Sequence, residues 1–416
     1  MTEAAGSRDA TRWRRTLLGV VIALFAGIFG VSFVNPFAPL FLVEDLGVHD
    51  PRELAVWTGL ILSSASVTKL LAGPLWGVVA DRHGRKKMLV RAQATAGVMI
   101  AIMAFSQSPL QLLTLRLLMG LASGVSSASM ALVVSETPRA RVGWAVGMTS
   151  SAQAVAVSAS PLAAGLLATF LPLRVVFLCG GVLMAATTLP VLALVRESAP
   201  TGGQRPKASV RQTLRDMDRA SRTAILALLA AQTLTYVAYL GGQQLVLLRV
   251  IGLSNGSGFA IGVAFAAMGL ATGLAASLYH RLVPRLGFRR LAVSGALLMG
   301  TSLIAAALST TTTTVSISAA VAGLSFGVCG PAVQSMLGLE APREIRATLF
   351  GALGSAASLG QVVGPIGCGL LAAAIGVEPT FAFVVAAALG LGTTLWWRAR
   401  EPSISAEASV TSGVTS

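Results

Sequence analysis

Between Thr16 and Trp397 the chain alternates long apolar runs with short polar loops, and this alternation constrains the fold more than any other feature. Twelve runs can be read, at about 16–43, 54–80, 88–106, 110–135, 142–171, 175–195, 223–248, 258–279, 291–308, 315–339, 347–375 and 380–397. Each reaches the roughly 17 residues that a helix needs to cross a bilayer. Backbone in lipid must satisfy its own N–H and C=O groups, so such runs fold as helices. Hydrophobic residues make up 54% of the 416 and charged residues 11%, against about 25% charged in a soluble domain. With mean hydropathy at +0.77, no single water-bound core could bury this surface, and lipid is the expected solvent. The expected fold class is an all-α integral membrane protein. The first run is too long for a signal-peptide core and is expected to remain as the first span.

The net charge of +15 would suggest nucleic acid only if the basic residues shared one face. They recur instead in short clusters between apolar runs, so no nucleic-acid partner is expected and the bilayer is. All but five of the 31 Lys and Arg fall in tails or loops on one side of the twelve-span topology. Arg52, Arg174 and Arg249 fall on the other side, with the acidic loop of Glu44, Asp45, Asp50 and Glu53; Lys69 and Arg116 lie inside spans. The excess of basic residues marks the cytoplasmic face. Both termini are therefore expected in the cytoplasm, and the protein as multi-pass in the cell inner (plasma) membrane. The layout expected is a tail at 1–15, six spans at 16–196, a cytoplasmic linker at 197–222, six spans at 223–397, and a disordered tail at 398–416. Cys179, Cys329 and Cys368 each sit in an apolar run without CxxC spacing or paired histidines, so neither disulfides nor zinc is expected; no other metal and no bound cofactor is expected either.

The two halves repeat. TPRARVGWAVGMTSSAQAVAVSASPLAAGLL aligns without gaps onto APREIRATLFGALGSAASLGQVVGPIGCGLL at a shift of 204 residues, setting Pro138 on Pro342, Gly147 on Gly351, Pro161 on Pro365 and Gly165 on Gly369. RHGRK at 82–86 has a worn copy in Arg285, Gly287, Arg289 and Arg290, with Pro284 where Asp81 would stand. A six-span unit duplicated in parallel is the plan of transporters that rock about a midplane site.

The loop between the second and third runs carries a motif richer than a topology signal needs. Gly73 and Gly77, one turn apart, would let a second helix approach closely. Asp81, Arg82, Gly84, Arg85 and Lys86 follow at once. A carboxylate at a helix end, such as Asp81, can meet the positive N-terminus of a neighbouring helix. Gly77, Val79, Asp81, Arg82, Gly84, Arg85 and Lys86 match the G-x-L-a-D-r-x-G-r-k loop of the major facilitator superfamily. Arg116 with Gly120 and Gly124 matches its fourth-span motif. Ser160, Pro161 and Gly165, with small residues replacing glycines, weakly match the fifth-span antiporter motif, and Gly360, Gly364, Pro365, Gly367 and Gly369 are its better copy in span 11. Over nearly its full length the chain resembles this superfamily, and most resembles its twelve-span drug–proton antiporter branch of multidrug and tetracycline exporters.

The resemblance implies two pseudo-symmetric six-helix bundles, and span 11, starting near Pro342, as the helix that Asp81 meets. Arg85 could reach Glu136 at the close of span 4, completing a latch that holds the halves together on the cytoplasmic side. It also implies that spans 1, 5, 7 and 11 line a substrate cavity. Asn35, Phe37, Gln153, Gln232, Tyr236, Tyr239, Gln243 and Gln361 are the candidate lining residues, each serving either substrate contact or helix–helix packing. Arg116, a charge costly in hydrocarbon, should face the interior or a wet cavity unless it snorkels. Lys69, near mid-membrane and about 40° around the helix from Gly73, should face the cavity. There it would contact an anionic or electron-rich substrate group, exchange a proton, or merely be solvated. No Asp or Glu lies in mid-membrane, so coupling would use Asp81, an end-of-helix acid such as Glu44, or another route. The expected function is proton-coupled efflux of small amphipathic molecules by a monomer, with no enzymatic step. The alternatives are an importer or uniporter of a small polar or anionic metabolite, and a non-transporting sensor or lipid scaffold.

Overall fold

The computed structural model describes residues 2–122, 129, 132–133, 136–138, 141–195, 197, 217–342 and 345–398, with side chains for all but 2–12, 74, 77–78, 80–82, 143, 347 and 398. Among the described residues every regular element is helical. The first half holds α1 (Thr2–Val34), a 3₁₀ turn (Asn35–Phe37), α2 (Ala38–Glu44), α3 (Pro51–His83), α4 (Arg85–Met103), α5 (Pro109–Leu121), α6 (Val142–Leu167), α7 (Leu173–Ala186) and α8 (Thr188–Leu194). The second holds α9 (Arg219–Ser254), α10 (Gly258–Leu286), α11 (Phe288–Leu308), α12 (Thr312–Glu340), α13 (Arg346–Ile375) and α14 (Val377–Arg398).

Local chemistry sets the boundaries. Ser108, Asp218, Ser257 and Thr311 cap α5, α9, α10 and α12, each side-chain oxygen accepting from the backbone N–H three residues on. Pro36 and Pro39 lack the N–H that a continuous helix needs, and the first span breaks there into its 3₁₀ turn. Gly84 (φ +94°) and Gly287 (φ +79°) make the same turn in the two halves, a conformation that only glycine adopts freely.

Ten of these segments are long and apolar enough to cross a membrane. The other two expected spans are α4, with four basic residues in its first seven positions, and α5, described as helix only to Leu121. Much of the expected fourth span beyond that point, Gly124 included, lies outside the described residues. Several ends differ from expectation. The tail expected at 1–15 is mostly the start of α1, and α9 begins at Arg219, inside the expected linker, because Asp218 supplies its cap. Pro342 precedes α13 by four residues instead of opening it, its carbonyl accepting from Ile345 N at 3.2 Å in a turn.

The packing repeats as the sequence does. In the first half α1 packs on α6 and α7, α3 on α5, and α4 on α7; in the second α9 packs on α13 and α14, α10 on α12, and α11 on α14. The halves meet chiefly along two seams, α3 with α13 and α6 with α10. At the first seam a Cβ on Gly369 would lie 2.7 Å from Ala55 O, and one on Gly59 would lie 2.5 Å from Pro365 O. At the second a Cβ on Gly165 would lie 2.7 Å from Gly258 O, and one on Gly262 would lie 2.7 Å from Pro161 O. The backbones touch because glycine leaves room for them.

Both seams end partway along the helices. Gly351 is five turns from Gly369 on α13, and Gly147 five turns from Gly165 on α6, so each pair shares one helix face about 27 Å apart. Gly73, Gly147, Gly351 and Gly354 are exposed, with no atom of the described residues within 4 Å of an added Cβ. The halves are therefore closed at the end bearing the acidic loop and splayed at the end bearing the basic loops.

Candidate transport cavity

Where the closed seam gives way to the cleft lies a cavity of about 410 Å³. Its polar lining is Ser32 and Asn35 from the first span, Ser66 and Lys69 from α3, Arg116 from α5, and Gln361 from α13. Ile28, Val31, Met119 and Met184 contribute apolar surface. Polar groups among methionine and aliphatic side chains suit an amphipathic ligand.

Helix packing places the charges. Gly120 lies one turn beyond Arg116, and a Cβ there would fall 2.4 Å from Ala65 O. This contact presses α5 against α3 and brings Arg116 to the cavity wall. Arg116 is 2% exposed, and its Nη1 donates to Asn35 Oδ1. Its Nε and Nη2 have no hydrogen-bond partner among the described residues. Asn35 is presented by the 3₁₀ turn. Two residues on, at about 120° per residue, Phe37 points away from it and is fully buried in the core. Lys69 is exposed to the cleft and has no ion-pair partner among the described residues. Ser66, one turn before it, donates to Gln361 Oε1 at 3.0 Å and bridges the two halves.

The other candidates lie elsewhere. Tyr239 stacks on Phe326 at 3.8 Å between ring centroids and Tyr236 meets the same ring edge-on, inside the second half. Gln232 is buried at 2% exposure, its Oε1 without a hydrogen-bond partner among the described residues; Gln153 and Gln243 are half-buried. None of these lines the cavity that holds Arg116. Pro161, Gly165, Pro365 and Gly369 form the seams between halves, while Gly360 and Gly364 pack α13 on α9, against Thr233 O and Val237 O.

Of the expected latch, the side chains of Gly77, Asp81 and Arg82 lie outside the described residues. Gly73 faces the open cleft, Gly84 makes the turn, and Glu136 is half-buried. Glu197 holds the loop: its Oε1 accepts from Arg85 N at 2.7 Å and its Oε2 from Lys86 N at 2.9 Å. Lys86 Nζ donates to Leu192 O at 2.8 Å. A carboxylate at the positive N-terminus of α4 is favourably placed, and it ties the loop to the end of the sixth span. Sequence reasoning missed both Glu197 and Ser66. Glu197 had a weak signal, as the first acid after the sixth apolar run.

Two repeated helical bundles around a partly polar cavity, closed at one end and open at the other, have the architecture of a secondary transporter. The Major Facilitator Superfamily profile matches residues 20–256 and 234–413, and the chain belongs to that family. It is 30% identical over 409 residues to the "Multidrug resistance protein MdtG" of Escherichia fergusonii, covering 96% of this chain and 98% of the relative. Among solved structures it resembles a D-xylose-proton symporter at TM-score 0.75 and 15% identity, over 93% of this chain and 98% of that one. It also resembles a bacterial homologue of the human lysosomal transporter Spinster, inward-facing and occupied, at TM-score 0.72 and 16% identity, over 92% and 96% of the two chains.

Proposed function

We propose that this protein exports small amphipathic compounds across the inner (plasma) membrane by alternating access, with protons as the coupling ion and both termini in the cytoplasm. The observation that carries the reading is the pair of glycine seams, closed at Gly59–Gly369 and Gly165–Gly262, whose helix faces lie bare five turns away at Gly351 and Gly147. One face that packs at one end and is open at the other suits a rigid-body rock about the cavity. The open end carries the basic loops, so the positive-inside pattern makes this the inward-facing state. The name of the Escherichia fergusonii relative supports efflux as the direction. Among the described residues no carboxylate lines the cavity, so Lys69, which can lose a proton where Arg116 cannot, is the proton-exchanging group in this reading. Purified protein in liposomes, loaded with a fluorescent amphipathic compound under an imposed pH gradient, tests it. Flux should follow the gradient and stop when the gradient is collapsed; flux indifferent to the gradient removes the proton from the account.

A further inference from the structure

The closed end carries one contact that is repeated with its charges exchanged. In the first half Arg174, at the start of α7, pairs with Asp45 at the end of α2, Nε donating to Oδ1 at 2.8 Å, and its Nη1 donates to Ala104 O at 3.0 Å. In the second half Arg249, near the end of α9, pairs with Glu378 in the first turn of α14, Nη1 donating to Oε1, and its Nη2 donates to Ser309 O at 2.9 Å. The partners stand 129 residues apart in both halves. At the 204-residue shift of the repeat Asp45 falls on Arg249 and Arg174 on Glu378, so acid and base have changed places. The third partner has not: Ala104 closes α4 and Ser309 closes α11, the third span of each half. Each cluster therefore ties the outer end of its half's first span to the third and sixth.

Charges that serve only topology need no fixed partner. Here the sign at each position has reversed while the three-helix link has been kept. The members on spans 1 and 7, Asp45 and Arg249, are also the shielded ones, at 18% and 20% side-chain exposure, where losing a partner costs more than it does at the surface. These two spans end against the opposite half: a Cβ on Gly256, in the turn after α9, would lie 3.3 Å from Leu40 Cδ1 and 3.7 Å from Glu44 Oε1 on α2. Without the links, the ends of spans 1 and 7 would be free to stay together while their halves turn apart.

We propose that Arg174 and Arg249 are positioning residues for transport: each fastens the outer end of its half's first span to the rest of that half, so that the contact between spans 1 and 7 opens with the rigid-body turn and not independently of it. The link within each half carries this role, not the charge at any one position. The inference rests on the alternating-access reading and adds the parts that transmit the turn to the outer end.

The test is a charge exchange in the full-length protein. Arg174→Glu alone sets two acids together and should lower flux in liposomes about ten-fold, the scale of a lost coupling between paired charges. Asp45→Arg with Arg174→Glu gives the first half the polarity of the second and should bring flux back to within about three-fold of the parent. Asp45→Arg with Arg249→Asp keeps the net charge and any attraction between spans 1 and 7 but breaks both links, and should stay low. Spin labels at His49 and Gly252, both exposed, report the outer distance between the two spans; it should broaden in Arg174→Glu and sharpen again in the exchanged pair. Arg249→Glu with Glu378→Arg repeats the exchange in the second half if the first pair fails to insert. Parent-like flux in Arg174→Glu, no recovery in either exchanged pair, recovery in Asp45→Arg with Arg249→Asp, or an outer distance unchanged by Arg174→Glu each overturns the proposal. A parent protein without flux would remove the transport reading, and the outer distance would still decide the link.

Discussion

Gly369 and Gly59 face each other across the first seam between the halves, with the Gly369 Cβ position 3.2 Å from Gly59 Cα, and Gly165 and Gly262 repeat the contact at the second seam, 2.9 Å apart by the same measure. Gly369 lies 204 residues after Gly165, and Gly262 lies 203 after Gly59. The closed end is therefore one contact used twice, as a duplicated unit related by a pseudo-two-fold axis requires.

We expect substitution at these glycines to stop the halves from closing. Gly369→Val or Gly165→Val would push a side chain into backbone at 2.7 Å, an overpacking cost of about 1–3 kcal/mol, or roughly ten-fold in the seam's equilibrium. Flux should fall by at least that factor while membrane insertion is unchanged. Gly351→Val meets open space in this state and should instead impede the opposite closure. Cysteine accessibility of the two ends in each variant distinguishes the cases: the Gly369 variant should shift labelling towards the acidic-loop end and the Gly351 variant away from it.

Much of this was legible before any coordinates. Apolar run length is set by bilayer thickness, so the spans follow from spacing alone; the 204-residue repeat already paired Gly165 with Gly369. Lys69 and Arg116 stood out because charge in an apolar run needs a wet or paired site. Ser66 did not stand out, because serines in such helices commonly bond their own backbone, as Ser63 does to Gly59 O and Ser64 to Ile61 O. Only tertiary placement opposite Gln361 distinguishes it. Phe37 was assigned to the cavity with Asn35, but the tighter 3₁₀ winding at Pro36 turns the two side chains apart. Glu197 did not stand out, because it lies 112 residues from Arg85 in the chain and is brought to the basic loop by the packing of α4 on α7 and α8.

The basic loop should be sensitive at two carboxylates for different reasons. Asp81→Asn is expected to leave insertion intact and cut transport strongly, because it keeps size and removes the charge that the proposed latch would set against span 11 on closure. Glu197→Gln weakens the cap on α4 by about 1 kcal/mol, so it should lower the thermal midpoint by a few degrees and reduce flux less. Normal flux in Asp81→Asn would reduce the motif to a topology signal.

The orientation has its own test. In cysteine-free protein, Asp50→Cys should react with an impermeant maleimide from outside intact cells, and Lys207→Cys only after permeabilisation. External labelling at 207 would overturn the twelve-span reading.

Lys69 separates proton exchange from fixed charge. If it carries the coupled proton, Lys69→Met abolishes gradient-driven flux and Lys69→Arg, which cannot deprotonate, does not restore it. If its positive charge alone matters, Lys69→Arg restores flux at least partly. A Met variant that transports like the parent would remove both roles.

The rocking of the two halves is tested most directly by paired distances at the two ends of the α3–α13 seam. Spin labels at Gly73 and Ser355, on the open cleft, and at Arg52 and Ile375, beyond the closed contact, can be measured by pulsed electron resonance in nanodiscs, with and without a pH shift and a transported compound. The account predicts two populations, in which the cleft distance shortens as the distance at the acidic-loop end lengthens, in the same fraction of molecules. A single unchanging distance at each end, or two ends that lengthen and shorten together, would contradict it.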